Sequence, residues 1–220
     1  MIRVETLPDP EAACARAAAL IAQILRAAIA EHGRATWAIS GGEGPAPMFR
    51  RLAELDLPWG SVDTWQVDER IAPAGDPDRN RSLQTEALPA AALPGVRWMP
   101  VEAEDAGGSA DRYAEGLPDR FDVVHLGLGP DGHTASLVPD DAVLEVDDRD
   151  VAVTGRYQRR RRMTLTYRGL SRARSAVWLV TGAAKRGAVR SLVAGDRTIP
   201  GARVPIAAQV LIADRAAGAD

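Results

Sequence analysis

The sequence predicts an α/β protein built on an open, mostly parallel, doubly wound sheet with helices on both faces. Short apolar runs of strand length alternate with amphipathic stretches of helical length, the pattern of strand–helix–strand units. "FDVVHLGLG" (121–129) is continuously apolar, as expected for a strand covered on both faces. "ATWAIS" (35–40) runs into two glycines and then into the helical pattern "PAPMFRRLAEL" (45–55), a strand–turn–helix signature.

The first long element is a helix. Asp9 is placed to cap it, Pro10 occupies its first turn and Gly33 stops it. Cys14, Ala17, Ile21, Ile24, Leu25 and Ala28 recur at helical spacing and form one apolar face for the core. Arg16, Arg26 and Gln23 interrupt the run and acidic "ETLPDPE" precedes it, so neither a secretory signal nor a bilayer span fits. "SVDTWQVDER" (61–70) reads as one strand ending in charge, and "IAPAGDPDRNRS" (71–82) as a polar loop. "VRWMPV" (96–101) reads as a strand, "AEDAGGSAD" (103–111) as a surface loop and "SADRYAEGL" (109–117) as a short helix. After "FDVVHLGLG", strands are expected at "DVAVTG" (150–155), "RMTLTY" (162–167), "SAVWLVTG" (175–182) and "VLIAD" (210–214). A helix over 183–194 is stopped by Gly195.

Length and composition fit one domain, residues 1–220, with a large core: 46% of the 220 residues are hydrophobic and 26% charged. The net charge of -3 argues against a nucleic-acid or anionic-membrane partner. Cys14 is the sole cysteine, which excludes an internal disulfide and points to a reducing, cytoplasmic setting. His32, His125 and His133 lack metal-ligand spacing, so no metal is expected. His125, inside an apolar strand, reads as a satisfied core residue. "RYQRRRR" (156–162) invites a nucleic-acid reading, but no aromatic ladder or basic excess elsewhere supports it, and most of its arginines read as exposed.

In doubly wound sheets ligands sit beyond the carboxyl ends of the strands. Four chemically informative stretches follow predicted strand ends: "SGG" (40–42), "DER" (68–70), "GPDGH" (129–133) and "TGAAK" (181–185). Gly127, Gly129 and Gly132 have the spacing of a dinucleotide fingerprint. Pro130 and Asp131 stand between the last two, however, and Asp131 would put a carboxylate where a pyrophosphate should approach. Read instead as a mount, the glycines let the backbone turn sharply while "HTASL" starts a helix with His133 at its N-terminus. The helix dipole would favour a neutral imidazole, suited to a general base that Asp131 orients. Ser136, one helical turn on, lacks the strained elbow of a serine hydrolase. Ser40, Gly41 and Gly42 read as a phosphate cradle, or as a plain tight turn, with Arg162 and Lys185 as candidate cations for the same anion.

Taken together, "ISGG", "VDER" with the following Asn80, "LGLGPDGHTASLVP", "RMTLT", "LVTGAAK" and "DRAA" resemble the 6-phosphogluconolactonase family in order and spacing over residues 37–217. The resemblance implies a sugar-phosphate isomerase-like (modified Rossmann) sheet. It also implies hydrolysis of 6-phospho-D-glucono-1,5-lactone to 6-phosphogluconate, with no cofactor, the only partner being the phosphorylated sugar lactone. A monomer or small homo-oligomer is expected. By motif, His133 corresponds to the base that activates water, with Asp131 beside it. Ser40, Gly41, Gly42, Arg162 and Lys185 correspond to phosphate-binding elements, and Asp68 and Arg70 to residues lining the site. The related glucosamine-6-phosphate deaminases share the layout but differ after the histidine. A deaminase, a non-catalytic sugar-phosphate-binding regulator and a dinucleotide oxidoreductase are the rival readings. The chain departs from the pattern at Glu43 and Gly44, which replace a hydroxyl pair, at Arg79, where serine is common, and at Val138, where phenylalanine is usual. Arg79 is expected to compensate for the lost hydroxyls.

Overall fold

A computed structural model describes residues 2–42, 44–101 and 105–218. The chain opens with a strand that the sequence pattern does not announce, β1 (Arg3–Leu7), and enters the predicted helix α1 (Pro10–His32). The Asp9 carboxylate accepts the Ala12 N–H, Pro10 lies in the first turn and Gly33 ends the helix with φ 82°. By length and composition α1 meets the criterion for a membrane span. Its apolar face, including Ala17, Ile21 and Leu25, is instead packed in the core.

The strands β2 (Ala35–Ile39), β3 (Val62–Gln66), β5 (Val96–Arg97), β6 (Val123–Leu126), β9 (Ser175–Val180) and β10 (Ala208–Asp214) join β1 in a parallel sheet. Its order is β1-β10-β9-β6-β2-β3-β5. Two-residue alternation sends side chains to two separate cores, which is the physical basis of the doubly covered sheet. Trp37, Ile39, Val177, Leu179 and Ile212 face α1 and α2 (Ala46–Ala53). Ala38, Leu126, Trp178, Val180 and Leu211 face the other core, with α4 (Ala106–Glu115) and α6 (Arg186–Ala194). Complete burial of a large apolar side chain stabilises by about 1.5–3 kcal/mol, and Trp37, Trp178, Phe49 and Ile21 are all essentially inaccessible.

From β2 the chain winds outward through β3 to β5; it then returns to the other side of β2 as β6 and winds away through β9 and β10. The loops leaving β2 and β6 therefore diverge at the switch point, opening a crevice at their carboxyl ends.

Several expectations need correction. "SVDTWQVDER" is two strands: β3 in the parallel sheet and β4 (Asp68–Arg70) in a separate antiparallel ribbon, β4-β8-β7. Val67 is the joint, donating its N–H to Ile39 O (3.0 Å) and accepting Leu165 N (2.7 Å). "DVAVTG" and "RMTLTY" thus contribute β7 (Val151–Val153) and β8 (Arg162–Leu165) to the ribbon, not to the main sheet. "VRWMPV" forms only the two-residue β5. The loop at 71–82 ends early because α3 (Asn80–Ala87) begins there. The "AEDAGGSAD" loop is largely the start of α4, capped by Asp105 accepting the Gly108 N–H, while its residues 103 and 104 lie outside the described residues. The short helix α5 (Tyr167–Ser171) leads from the ribbon back to β9.

Candidate active site at the strand ends

The crevice gathers residues from all four stretches. Ser40, Gly41, Gly42, Asp68, Arg70, Gly129, His133, Arg162 and Lys185 line one cleft of about 240 Å³, together with Asn80 and His125. That volume lies below the about 300–1,000 Å³ of typical small-molecule sites.

On the β2 side, the "SGG" turn is built for close approach. A β-carbon on Gly41 would collide with the Asn80 side chain, and Gly42 has φ 95°. The Ser40 hydroxyl is buried and has no hydrogen-bond partner among the described residues. The helix that follows contributes less than expected to an anion site, since Pro45 and Pro47 remove two of the N–H groups at the start of α2. Of the two residues that replace the hydroxyl pair, Glu43 lies outside the described residues and Gly44 lines the cleft.

The "DER" stretch is held from behind. Buried Glu69 accepts the backbone N–H groups of Arg70 (2.7 Å), Asn80 (2.7 Å) and Arg81 (2.8 Å). Asp68 accepts Asn80 Nδ2 (3.1 Å) and the Ser136 hydroxyl (2.6 Å), so Ser136 serves as a strut between the β6 turn and β4. Arg79 does not line the cleft: its guanidinium is buried with Nε 3.3 Å from Glu69 and Nη1 donating to Ala72 O. The expectation that it replaces the missing hydroxyls at the phosphate therefore fails, because its guanidinium is turned into the interior beside Glu69 and away from the cleft.

On the β6 side the glycines serve His133. A β-carbon on Gly129 would collide with His133 Nδ1, and one on Gly132, with φ 81°, would run into Ile199. Gly127 meets no such limit; its carbonyl accepts the Thr134 hydroxyl (2.9 Å). The predicted helix at "HTASL" is absent: Thr134 and Leu137 form an isolated bridge and Ala135 has φ 50°. With no helix dipole there, the local control on His133 is Asp131, whose Oδ1 lies 2.5 Å from Nδ1. An ionised carboxylate only accepts, so this contact places the proton on Nδ1 and leaves the Nε2 lone pair free. Partial burial pushes the Asp131 carboxyl up, but His133's charge and the hydrogen bonds from His133 and Tyr157 outweigh it, leaving the group below the usual carboxylate value.

Three cations face this pair. Arg162 is buried on β8; burial pulls its guanidinium below the usual value and Asp68 partly opposes this. Arg70 donates to Asp78 O (2.6 Å), and the Nε atoms of both arginines have no partner among the described residues. Lys185, the sole lysine in the sequence, is half-buried, and burial lowers its pKa against the pull of Asp131. His125 departs from expectation: it is buried, but neither ring nitrogen has a partner among the described residues, and burial pushes its pKa down to about 3. Among the described residues no group of three or more His, Cys, Asp or Glu gathers as a metal site.

Residues 8–212 match the sequence profile of the glucosamine-6-phosphate isomerases/6-phosphogluconolactonase family. The chain belongs to this family. A 6-phosphogluconolactonase of Nostoc sp. is 35% identical over 99% of this chain and 97% of its own. One from Mesorhizobium japonicum is 37% identical over 94% of this chain and 90% of its own. The crystal structure of a 6-phosphogluconolactonase from Shewanella baltica superposes with a TM-score of 0.88 at 26% identity, covering 97% of this chain and 98% of that one. The family fold accounts for the arrangement found here, with strand-end loops meeting over the switch point.

Tyr157 escaped the sequence reading. Its hydroxyl donates to Asp131 Oδ2 (3.0 Å), and its ring packs 5.4 Å from His133 and 5.0 Å from the Arg162 guanidinium. A lone aromatic within an arginine run carried no signal by itself; only the ribbon's fold brings it over the glycine turn.

Proposed function

We propose that this protein is a cytoplasmic hydrolase that opens 6-phospho-D-glucono-1,5-lactone to 6-phosphogluconate, the second step of the oxidative pentose phosphate pathway, acting as a monomer or small homo-oligomer. The observation that carries this reading is the Asp131–His133 pair, with Nε2 free, in a small cleft that also holds Arg70, Arg162 and Lys185. The lactonase names of relatives about 35% identical over nearly the whole chain support it.

A lactone is an activated ester, so no covalent nucleophile is needed. His133 Nε2 takes a proton from water as the water oxygen bonds to C1, and Asp131 stabilises the imidazolium that forms. The C1–ring-oxygen bond then breaks, and the ring oxygen takes the proton back from Nε2. The amides of Gly129, Gly132 and His133 already donate within the turn, which removes them as partners for the oxyanion at C1. Arg70, lining the cleft with a free Nε, takes that role. Arg162, Lys185 and the Ser40–Gly42 turn hold the phosphate, using binding energy remote from C1 to orient it. Asp68 shapes the floor through Asn80 and Ser136.

Lactone opening measured above its spontaneous rate tests the assignment, with His133→Ala in parallel. The variant is expected to lose about 100- to 10,000-fold in kcat. Wild-type activity at background would reject the hydrolase, and an unimpaired variant would reject the base. Glucosamine 6-phosphate supplied to the same protein should release no ammonia.

A further inference from the structure

We propose that Tyr157 is a positioning residue that joins the Asp131–His133 pair to Arg162, so that the base and the phosphate-side cation are set by one side chain. The inference rests on the hydrolase reading for the roles of those two ends. The contacts themselves are independent of it.

The Tyr157 hydroxyl donates to Asp131 Oδ2, the oxygen not engaged by His133 Nδ1, and lies 3.5 Å from Nδ1. Both carboxylate oxygens are therefore tied, one to the imidazole and one to the phenol, which fixes the plane of the carboxylate and with it the direction of the ring. Burial and Asp131 both raise the Tyr157 pKa, so the phenol stays a donor across the neutral range. The opposite face of the link is aromatic. The Arg162 guanidinium stands over the Tyr157 ring at 5.0 Å, a cation–π distance. Gln158 closes the set, accepting from Arg162 Nη2 (3.2 Å) and donating to the Tyr157 hydroxyl (3.4 Å).

The backbone is bent to make this arrangement. Tyr157 and Arg160 exchange two backbone hydrogen bonds around a tight turn whose central residues, Gln158 and Arg159, have φ 47° and 75°. Neither is glycine, and non-glycine residues in the left-handed region persist where surrounding contacts hold them. Here Arg160 supplies the anchor, paired with Asp76 (2.7 Å) and Asp78 (3.3 Å) on the loop before α3.

Two variants separate the two halves of the role. Tyr157→Phe keeps the ring under Arg162 and removes only the hydroxyl; Tyr157→Leu removes both. In steady-state lactone hydrolysis, Tyr157→Phe should lower kcat by about tenfold, as for loss of a hydrogen bond to a charged group, with KM within about twofold. Tyr157→Leu should show the same kcat loss and in addition raise KM by about fivefold, the loss of a partly desolvated cation–π contact. A merely structural residue would move kcat and KM together in both variants, and that result, or a Tyr157→Phe enzyme with wild-type kcat, overturns the proposal. Two readouts stand apart from turnover. Inorganic phosphate should bind more weakly to Tyr157→Leu than to Tyr157→Phe, and the low-field NMR resonance of the His133 Nδ1 proton should shift in both. If the wild type fails to exceed background hydrolysis, the hydrolase reading falls; equal phosphate affinities with an unshifted resonance would overturn the positioning role separately.

Discussion

His125 links protonation to folding in a way that can be measured. Its imidazole is buried on β6 against the Phe49 ring (centroids 5.9 Å apart, 75°), and neither ring nitrogen has a partner among the described residues. Burial lowers its pKa from 6.5 to about 3. The unfolded chain therefore takes up a proton below pH 6.5 that the folded protein refuses until about pH 3. Where the unfolded state binds more protons, stability falls as pH falls. Each pH unit in that window removes about 1.4 kcal/mol, so acidification from pH 6.5 to 5 should cost about 2 kcal/mol from this group. Against a total of about 5–15 kcal/mol for a typical domain, that is a readable fraction. The perturbation is His125→Leu, which removes the titrating group and leaves an apolar strand residue. Urea unfolding followed by tryptophan fluorescence at pH 7, 6 and 5 gives the comparison. The carboxyls of Glu5 and Asp131 also lie below the usual value, but their stability is lost only as pH falls below about 4, and it is lost equally in both proteins. The wild type should lose about 2 kcal/mol more than the variant between pH 7 and 5. Parallel pH dependences in the two proteins would refute the reasoning, since they would mean that folding places no penalty on the charged imidazole.

Gly129→Ala puts a β-carbon into the space of His133 Nδ1 and should lower kcat by about 100-fold or more, through displacement of the base, while circular dichroism stays unchanged. Because Lys185 is the sole lysine, an amine-selective reagent reports on it almost alone; its labelling should titrate below the usual lysine value and be slowed by inorganic phosphate. Glu69→Gln takes the charge from the buried carboxylate that accepts the Arg70, Asn80 and Arg81 N–H groups and should destabilise by about 1.5–3 kcal/mol, read as a fall in urea midpoint.

Legibility in the sequence followed the range of the physical cause. The caps of α1, the Gly195 stop after α6 and the strand-end placement of "SGG" and "GPDGH" depend on residues a few positions apart, and all were visible. The glycine mount was visible too, although its reason was not a helix: Gly129 is required by the imidazole itself. What the pattern could not show arises from contacts far apart in the chain. Nothing local in "SVDTWQVDER" ends the strand at Val67, yet it breaks there because Leu165, nearly a hundred residues on, claims its carbonyl. Arg79 looked free to reach a phosphate, since nothing local says that Glu69 turns inward. His125 looked like a satisfied core residue because sequence reports that a side chain is buried, not whether its polar atoms find partners.

The break at Val67 also explains why the cleft has two chemically different walls. The parallel sheet alone provides the switch point, with backbone turns after β2 and β6 that bring Ser40–Gly42 and His133 to the cleft. Those turns carry no arginine. The cations Arg70 and Arg162 stand opposite one another as a register pair on the antiparallel ribbon, β4 against β8. The ribbon is fastened to the sheet by Val67 and to the β6 turn by Ser136 and Tyr157. The arginines and His133 thus belong to two sheets, and under the proposed hydrolase reading the few side chains that cross between them set the distance from phosphate to scissile carbonyl. Substitutions at Ser136 and Tyr157 should therefore alter turnover before they alter stability, whereas those of buried apolar residues within either sheet should do the reverse.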